Sequence, residues 1–188
     1  MELHMLGKFI IGGIITAAII GTAGQIVFPP KPALLYNPSY SAKVGWYKLT
    51  TNSPPEFGSQ VAAYAPEWAR KMADERGYLP YDYPLIKTVW AVEGDEICYH
   101  KSSVSVPRRT DIALQLRDAL GRDMPVMSGC HVLKSDEFML LSPDVQTGFD
   151  SRYFGPVGLE NIVGRVEYLG NSKNLKLSRK VGFVGVRG

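Results

Sequence analysis

Between Phe9 and Val27 the chain runs without a formal charge and is rich in Ile, Ala and Gly. At about 1.5 Å per helical residue, roughly 20 residues cross a bilayer core of about 30 Å. Lys8 stands at the start of this run and Pro29-Pro30 stop it. The segment reads as an uncleaved membrane anchor. The alternative is a cleaved secretory leader, for which Gly21-Thr22-Ala23 supplies small residues. The run is longer than the roughly 7 to 15 apolar residues of a leader, which favours the anchor. Lys8 and Lys31 flank it evenly, so charge does not set its orientation.

The anchor leaves one domain's worth of a 188-residue chain. The net charge of +3 comes without a dense Lys/Arg stripe interleaved with aromatics, so nucleic acid is not an expected partner. His4, His100 and His131 are scattered, and with only Cys98 and Cys130 beside them no metal-ligand spacing emerges. The glycines of Gly182-Phe183-Val184-Gly185 do not follow a strand and open a helix as a phosphate loop does. No cofactor is expected.

Residues 1–28 are the stub and anchor, and residues 29–38 a proline-rich extended tether. Residues 39–170 are the folded domain, and 171–188 a basic tail. Alternation and turn residues predict strands at Gly45–Leu49, Gln60–Tyr64, Leu85–Val92, Glu96–His100, Cys130–Leu133, Glu137–Leu141 and Ile162–Leu169. Pro66–Arg76 is a predicted helix, with Glu67 early and Gly77 just past its end. A second helix is predicted at Asp111–Leu120, capped by Thr110, with Ile112, Leu116, Ala119 and Leu120 as its apolar face. Strands dominate without strand-helix alternation. The expected fold is therefore mainly β and antiparallel, with short helices in insertions.

Within Leu85-Ile86-Lys87-Thr88-Val89-Trp90-Ala91-Val92, Lys87 shares a strand face with Leu85, Val89 and Ala91. A buried lysine loses its charge readily and can then take a proton near neutral pH. The competing reading is an edge-strand lysine whose stem covers the sheet while its ammonium stays wet. Cys98 and Cys130 lie on predicted strands flanking one insertion. In an oxidising compartment they are expected to form a disulfide; the alternative is two separate buried thiols.

Lys87, the turn Glu93-Gly94-Asp95 and the block Phe149-Asp150-Ser151-Arg152-Tyr153-Phe154-Gly155-Pro156 together resemble the membrane-anchored signal peptidases that use a Ser/Lys dyad. Within that group they resemble the TraF-like conjugative transfer peptidases. The resemblance implies a signal-peptidase-like β fold, with Lys87 as general base. The family pattern Ser-x-Pro-x-Gly-Leu-Tyr is met at Ser41-Ala42-Lys43-Val44-Gly45-Trp46-Tyr47, where Lys43 replaces the proline. This makes Ser41 the candidate nucleophile. Ser53, in Asn52-Ser53-Pro54-Pro55-Glu56-Phe57-Gly58, is the competitor. Ser39 stands where the wider family places an oxyanion-stabilising hydroxyl. Asp150 and Arg152 are implied to brace the loop near the dyad. Relatives often carry a lysine-orienting serine two residues before this aspartate. Here Gly148 fills that position, so either Thr147 substitutes or the bond is missing. Thr88 also departs from the arginine that usually follows the lysine.

The resemblance implies a serine endopeptidase in the bacterial inner membrane, with its catalytic domain in the periplasm. Its partners would be the bilayer and a precursor protein, most specifically a conjugative pilin cut after a small residue. Two alternatives stand beside it: a general signal peptidase, and a non-catalytic conjugation component that keeps the fold.

Overall fold

The computed structural model describes residues 13–16, 19, 21, 34–50, 54–142 and 148–171. The chain forms two compact units, residues 1–32 and 33–188. In the first, the described positions 13–16, 19 and 21 are helical. The rest of the expected anchor lies outside the described residues, as do Ser53, Thr147 and the tail from residue 172. Among the described residues no helix is long and apolar enough to cross a membrane.

The second unit holds two antiparallel sheets. The larger contains β1 (Leu34–Asn37), β2 (Gly45–Thr50), β3 (Gln60–Ala63), β4 (Leu85–Ala91), β9 (Glu137–Leu141), β10 (Val157–Gly158) and β11 (Ile162–Gly170). Their order across the sheet is β1-β2-β11-β3-β4-β9-β10. The smaller contains β5 (Glu96–Tyr99), β6 (Ser103–Ser105), β7 (Ile112–Ala113) and β8 (Gly129–Val132), in the order β7-β6-β5-β8. All of the expected strands are present, with ends displaced by a residue or so.

Strand β2 buries Gly45, Tyr47 and Leu49 and exposes Trp46, Lys48 and Thr50. That period of two follows from successive side chains leaving opposite faces of a strand. Gly45 is required on two counts. Its φ is +145°, and a Cβ there would lie 2.4 Å from the Gly170 carbonyl oxygen. The residue ending the β1–β2 loop is thereby pinned against the bulged end of β11. Strand β4 is interior, between β3 and β9, and Ile86 through Val89 are all buried. A lysine in this strand has no edge from which to reach water.

The first predicted helix is present as α1 (Glu67–Glu75), with Pro66 at its N-cap and Gly77 at positive φ beyond it. Ala69 and Ala73 form its buried stripe. The second is overturned. Ile112–Ala113 is strand β7, paired with β6, and the chain then turns through an isolated bridge between Arg117 and Asp123. Asp118 explains the failure. Its carboxylate accepts from the backbone N–H groups of Leu120 and Arg122, which gives the backbone a local turn in place of helix bonds. The intended apolar face does not pack, with Leu116 50% and Leu120 76% exposed. The tether is corrected at its far end: Leu34–Asn37 pairs with β2 and so belongs to the folded domain. A short helix not expected from periodicity, α2 (Ser151–Phe154), carries the centre of the aspartate-arginine block.

Cys98 and Cys130 face each other across β5 and β8 and are joined by a disulfide, 32 residues apart in sequence. Closing a loop of that length stabilises by about 3 to 4 kcal/mol in the chain-entropy account. A Cys98→Ala/Cys130→Ala variant is expected to melt several degrees lower, and unreduced peptide mapping to recover the linked pair. Two alkylatable thiols in native protein, or an unchanged melt, would refute this.

Candidate active site

Lys87 sits at the middle of β4, opposite Val61 of β3, and is 1% exposed. Its Nζ donates to Ser142 Oγ at 2.8 Å. Burial pushes the ammonium from its ordinary 10.5 down to about 8; the Asp150 carboxylate opposes the fall and the Arg152 guanidinium adds to it. The wet edge-strand reading of Lys87 is thus overturned by the strand order. Edge or interior is a property of the sheet, not of the eight residues around the lysine.

Ser142 directly follows β9, and its backbone N–H donates to Asp150 Oδ2 at 2.9 Å. Asp150 is the N-cap of α2, accepting from the Arg152 N–H at 3.2 Å. The same carboxylate takes Arg152 Nε at 2.7 Å and Nη2 at 2.9 Å, and Nη2 also donates to the Gly148 carbonyl at 2.8 Å. Asp150 is 0% and Arg152 2% exposed. Ser151 Oγ accepts the Leu140 N–H at 3.1 Å, fastening α2 to β9. These bonds tie Ser142 and the Gly148 carbonyl to the buried Asp150–Arg152 pair.

Ser39 and Ser41 lie on the loop between β1 and β2, and one buried side chain shapes that loop. Asn37 Nδ2 donates to the carbonyls of Ser39 (2.8 Å), Ala42 (3.2 Å) and Lys43 (3.1 Å). Asn37 Oδ1 accepts the Ser39 N–H at 3.2 Å and its hydroxyl at 2.9 Å. Ser39 Oγ and Ser41 Oγ are 3.0 Å apart. The single Ser39 hydroxyl proton points to Asn37, so Ser41 is the donor in the serine pair. Both serines and Lys87 line one cavity of about 610 Å³, together with Leu85, Gly148 and Phe149. Among the described residues Lys87 bonds to Ser142, and no hydrogen bond joins it to Ser41.

The cavity's far wall comes from the segment read as a helix. Asp118 accepts from Tyr78 Oη at 2.5 Å and from Arg122 Nε at 2.6 Å, latching the β7–β8 segment to the turn after α1. Tyr153 Oη accepts the Gln115 N–H at 3.0 Å and ties that wall to α2. On the Lys87 face Leu85 borders the cavity, whereas Val89 and Ala91 are 0% exposed and belong to the core.

Of the residues singled out in the sequence, Ser39, Ser41, Lys87, Asp150 and Arg152 converge on this region. Thr147 lies outside the described residues, and the hydroxyl on Lys87 comes from Ser142. Sequence reasoning missed Ser142 and Asn37. Asn37-Pro38-Ser39 carried a turn signal, because Asn side chains bond their own backbone. Ser142 carried none: it is a strand-end serine whose partner lies 55 residues away.

Residues 6–169 match the family described as signal peptidase, peptidase S26. The chain is 35% identical over 137 residues to the plasmid transfer protein TraF of Escherichia coli, covering 68% of this chain and 77% of that one. It is 34% identical over 132 residues to the probable conjugal transfer protein TraF of Sinorhizobium fredii, covering 63% and 66%. Among solved structures, a signal peptidase I from Enterococcus faecalis V583 aligns with a TM-score of 0.36 at 11% identity, over 61% of this chain and 98% of that one.

Proposed function

Because the chain belongs to the signal peptidase family, peptidase S26, we propose that it is a membrane-anchored serine endopeptidase using Ser41 and Lys87. The observation that carries this reading is Lys87 itself: wholly buried, lowered to about 8, and facing the cavity that Ser41 enters. A buried lysine costs stability, and a nearby hydroxyl nucleophile is what makes use of its neutral form.

In the proposed reaction Ser41 Oγ attacks the scissile carbonyl carbon while its proton passes to neutral Lys87 Nζ. The negative charge that develops on the carbonyl oxygen meets the Ser41 backbone N–H and the Ser39 hydroxyl, which turns from Asn37 to donate. The carbon–nitrogen bond breaks, the leaving amine takes the proton back from Lys87, and a serine ester remains. Water then attacks the ester, Lys87 again accepting the proton, and Ser41 is restored. Similarity to proteins named for plasmid and conjugal transfer supports a pilin precursor as substrate. The uncharged segment Phe9–Val27 supports a membrane anchor that holds enzyme and inserted precursor in one plane. The domain is proposed to lie on the periplasmic side because exported precursors arrive there.

The test is co-expression of the full chain with a conjugative pilin precursor, followed by cleavage assays in isolated membranes. Wild type is expected to release the mature pilin and Ser41→Ala to release none. Lys87 is neutral above its lowered pKa, so the rate should climb with pH through about 8 and level off above it. Loss of cleavage in Ser53→Ala with full activity in Ser41→Ala would move the nucleophile. No processing by a folded wild-type chain would favour the non-catalytic assembly role.

A further inference from the structure

Two positions near Lys87 compete for one small volume. Ser142 is buried, and its hydroxyl lies 2.8 Å from Lys87 Nζ. Across the loop, Gly148 is also buried. A Cβ built on Gly148 would fall 2.0 Å from Ser142 Oγ and 2.8 Å from Ser142 Cβ. Contacts that short do not occur between real atoms, so no residue with a side chain fits at 148 while the Ser142 hydroxyl keeps its place. The backbone there does not call for glycine, since Gly148 is not among the positive-φ positions. Its reason is space, and the space is filled by the hydroxyl that holds the lysine.

The same buried ion pair fixes both positions. Asp150 Oδ2 accepts the Ser142 N–H and Arg152 Nη2 donates to the Gly148 carbonyl. The backbones of 142 and 148 are therefore clamped to one rigid point, and the hydroxyl between them can come from only one.

We propose that Ser142 is the positioning residue for Lys87 and that Ser142 and Gly148 form one exchangeable unit, in which a hydroxyl from 142 requires glycine at 148. The role assigned to Lys87 rests on the proposed peptidase function; the exchange does not. Four chains test it: wild type, Ser142→Gly, Gly148→Ser and the double variant, glycine being needed at 142 because an alanine there would keep the Cβ that lies 2.8 Å from a Cβ at 148. A Cβ at position 148 lies 2.0 Å from the vacated oxygen site, and glycine at 142 removes both atoms that would crowd it, so the serine hydroxyl introduced at 148 can take over the lysine. Two readouts are needed. One is pilin cleavage. The other is the titration of Lys87 followed by the 15N shift of its labelled side chain, which requires no substrate. A hydroxyl that accepts from the ammonium favours the charged form, so its loss should move the Lys87 midpoint to lower pH.

Ser142→Gly is expected to lower cleavage by about tenfold or more and to shift the midpoint down, effects in the range of a lost hydrogen bond to a charged group. Gly148→Ser alone should lower cleavage at least as much, by displacing Ser142. The double variant should recover most of the rate and return the midpoint toward the wild-type value, a coupling of opposite sign to simple damage. A double variant worse than both singles, or a midpoint unmoved in Ser142→Gly, overturns the proposal. Should Gly148→Ser fail to fold, the double variant against Ser142→Gly decides. If the midpoints follow this pattern while no chain, wild type included, cleaves the pilin, the peptidase reading falls and the positioning of Lys87 by Ser142 stands.

Discussion

Lys87→Met is expected to abolish cleavage and, at neutral pH, to make the folded domain more stable. The unfolded chain holds this lysine's proton up to its ordinary 10.5, whereas the folded domain holds it only up to about 8. Between those values the unfolded state binds more protons, so stability rises with pH across that window. Below about 8 the full cost of burying the ammonium is present, about 3 kcal/mol for a fall of that size. Methionine fills similar space without the charge. The loss of a donor to Ser142 Oγ returns about 1 kcal/mol of the gain. The expected net stabilisation is about 2 kcal/mol at pH 7, several degrees in melting temperature for a domain this size. Cleavage should fall by about a thousandfold or more, since the proposed general base is gone. Urea melts at pH 7 and pH 10.5 check the physical cause: the advantage should shrink at the higher pH. A variant less stable than wild type at pH 7, or one whose gain ignores pH, would show that burial of the charge is not what lowers the lysine.

Breaking the Asp150–Arg152 pair is expected to produce the largest loss of stability available from a single polar substitution in this domain. Both groups are buried, and they meet in two side-chain hydrogen bonds at 2.7 and 2.9 Å. Burial by itself would lower the Arg152 pKa, but the hydrogen bonds and charge of Asp150 outweigh it and raise it. Arg152→Met would leave a carboxylate at 0% exposure without its counter-charge, and Asp150→Ala the converse. Such changes cost about 3 to 5 kcal/mol. The same changes release the Ser142 N–H or the Gly148 carbonyl, so the lysine's partner should lose its place even where the fold survives. Asp150→Leu/Arg152→Met removes both charges and should be less damaging to stability than either single change, while still losing cleavage. Denaturant melts separate these cases. A single substitution costing under about 1 kcal/mol would mean that the pair does not hold this loop.

The strands were legible because each is a short run whose burial alternates or is continuous, and such runs depend on neighbours in sequence. Helix α1 was legible for the same reason, with Glu67 and Gly77 marking its ends. The helix expected at 111–120 was not there. An apolar period says what a segment would bury if it were helical. It cannot say that the Asp118 carboxylate will bond the backbone of Leu120 and Arg122 first. Strand β1 was hidden by the prolines before it, and its partner in β2 is found only by pairing.

By itself, the sequence marked which residues are candidates for the proposed chemistry. A lysine in an apolar strand, a serine before a glycine-bearing strand, and the aspartate-arginine block are local patterns, and the family resemblance suggests the roles proposed for them. Tertiary structure alone decided how Lys87 is held. The strand order put it inside a sheet, where desolvation lowers its pKa. The clamp of Asp150 and Arg152 brought Ser142 and Gly148 close enough that one hydroxyl excludes another. Exclusion of that kind depends on distances of a few ångströms between residues far apart in the chain, and no pattern along the sequence records it.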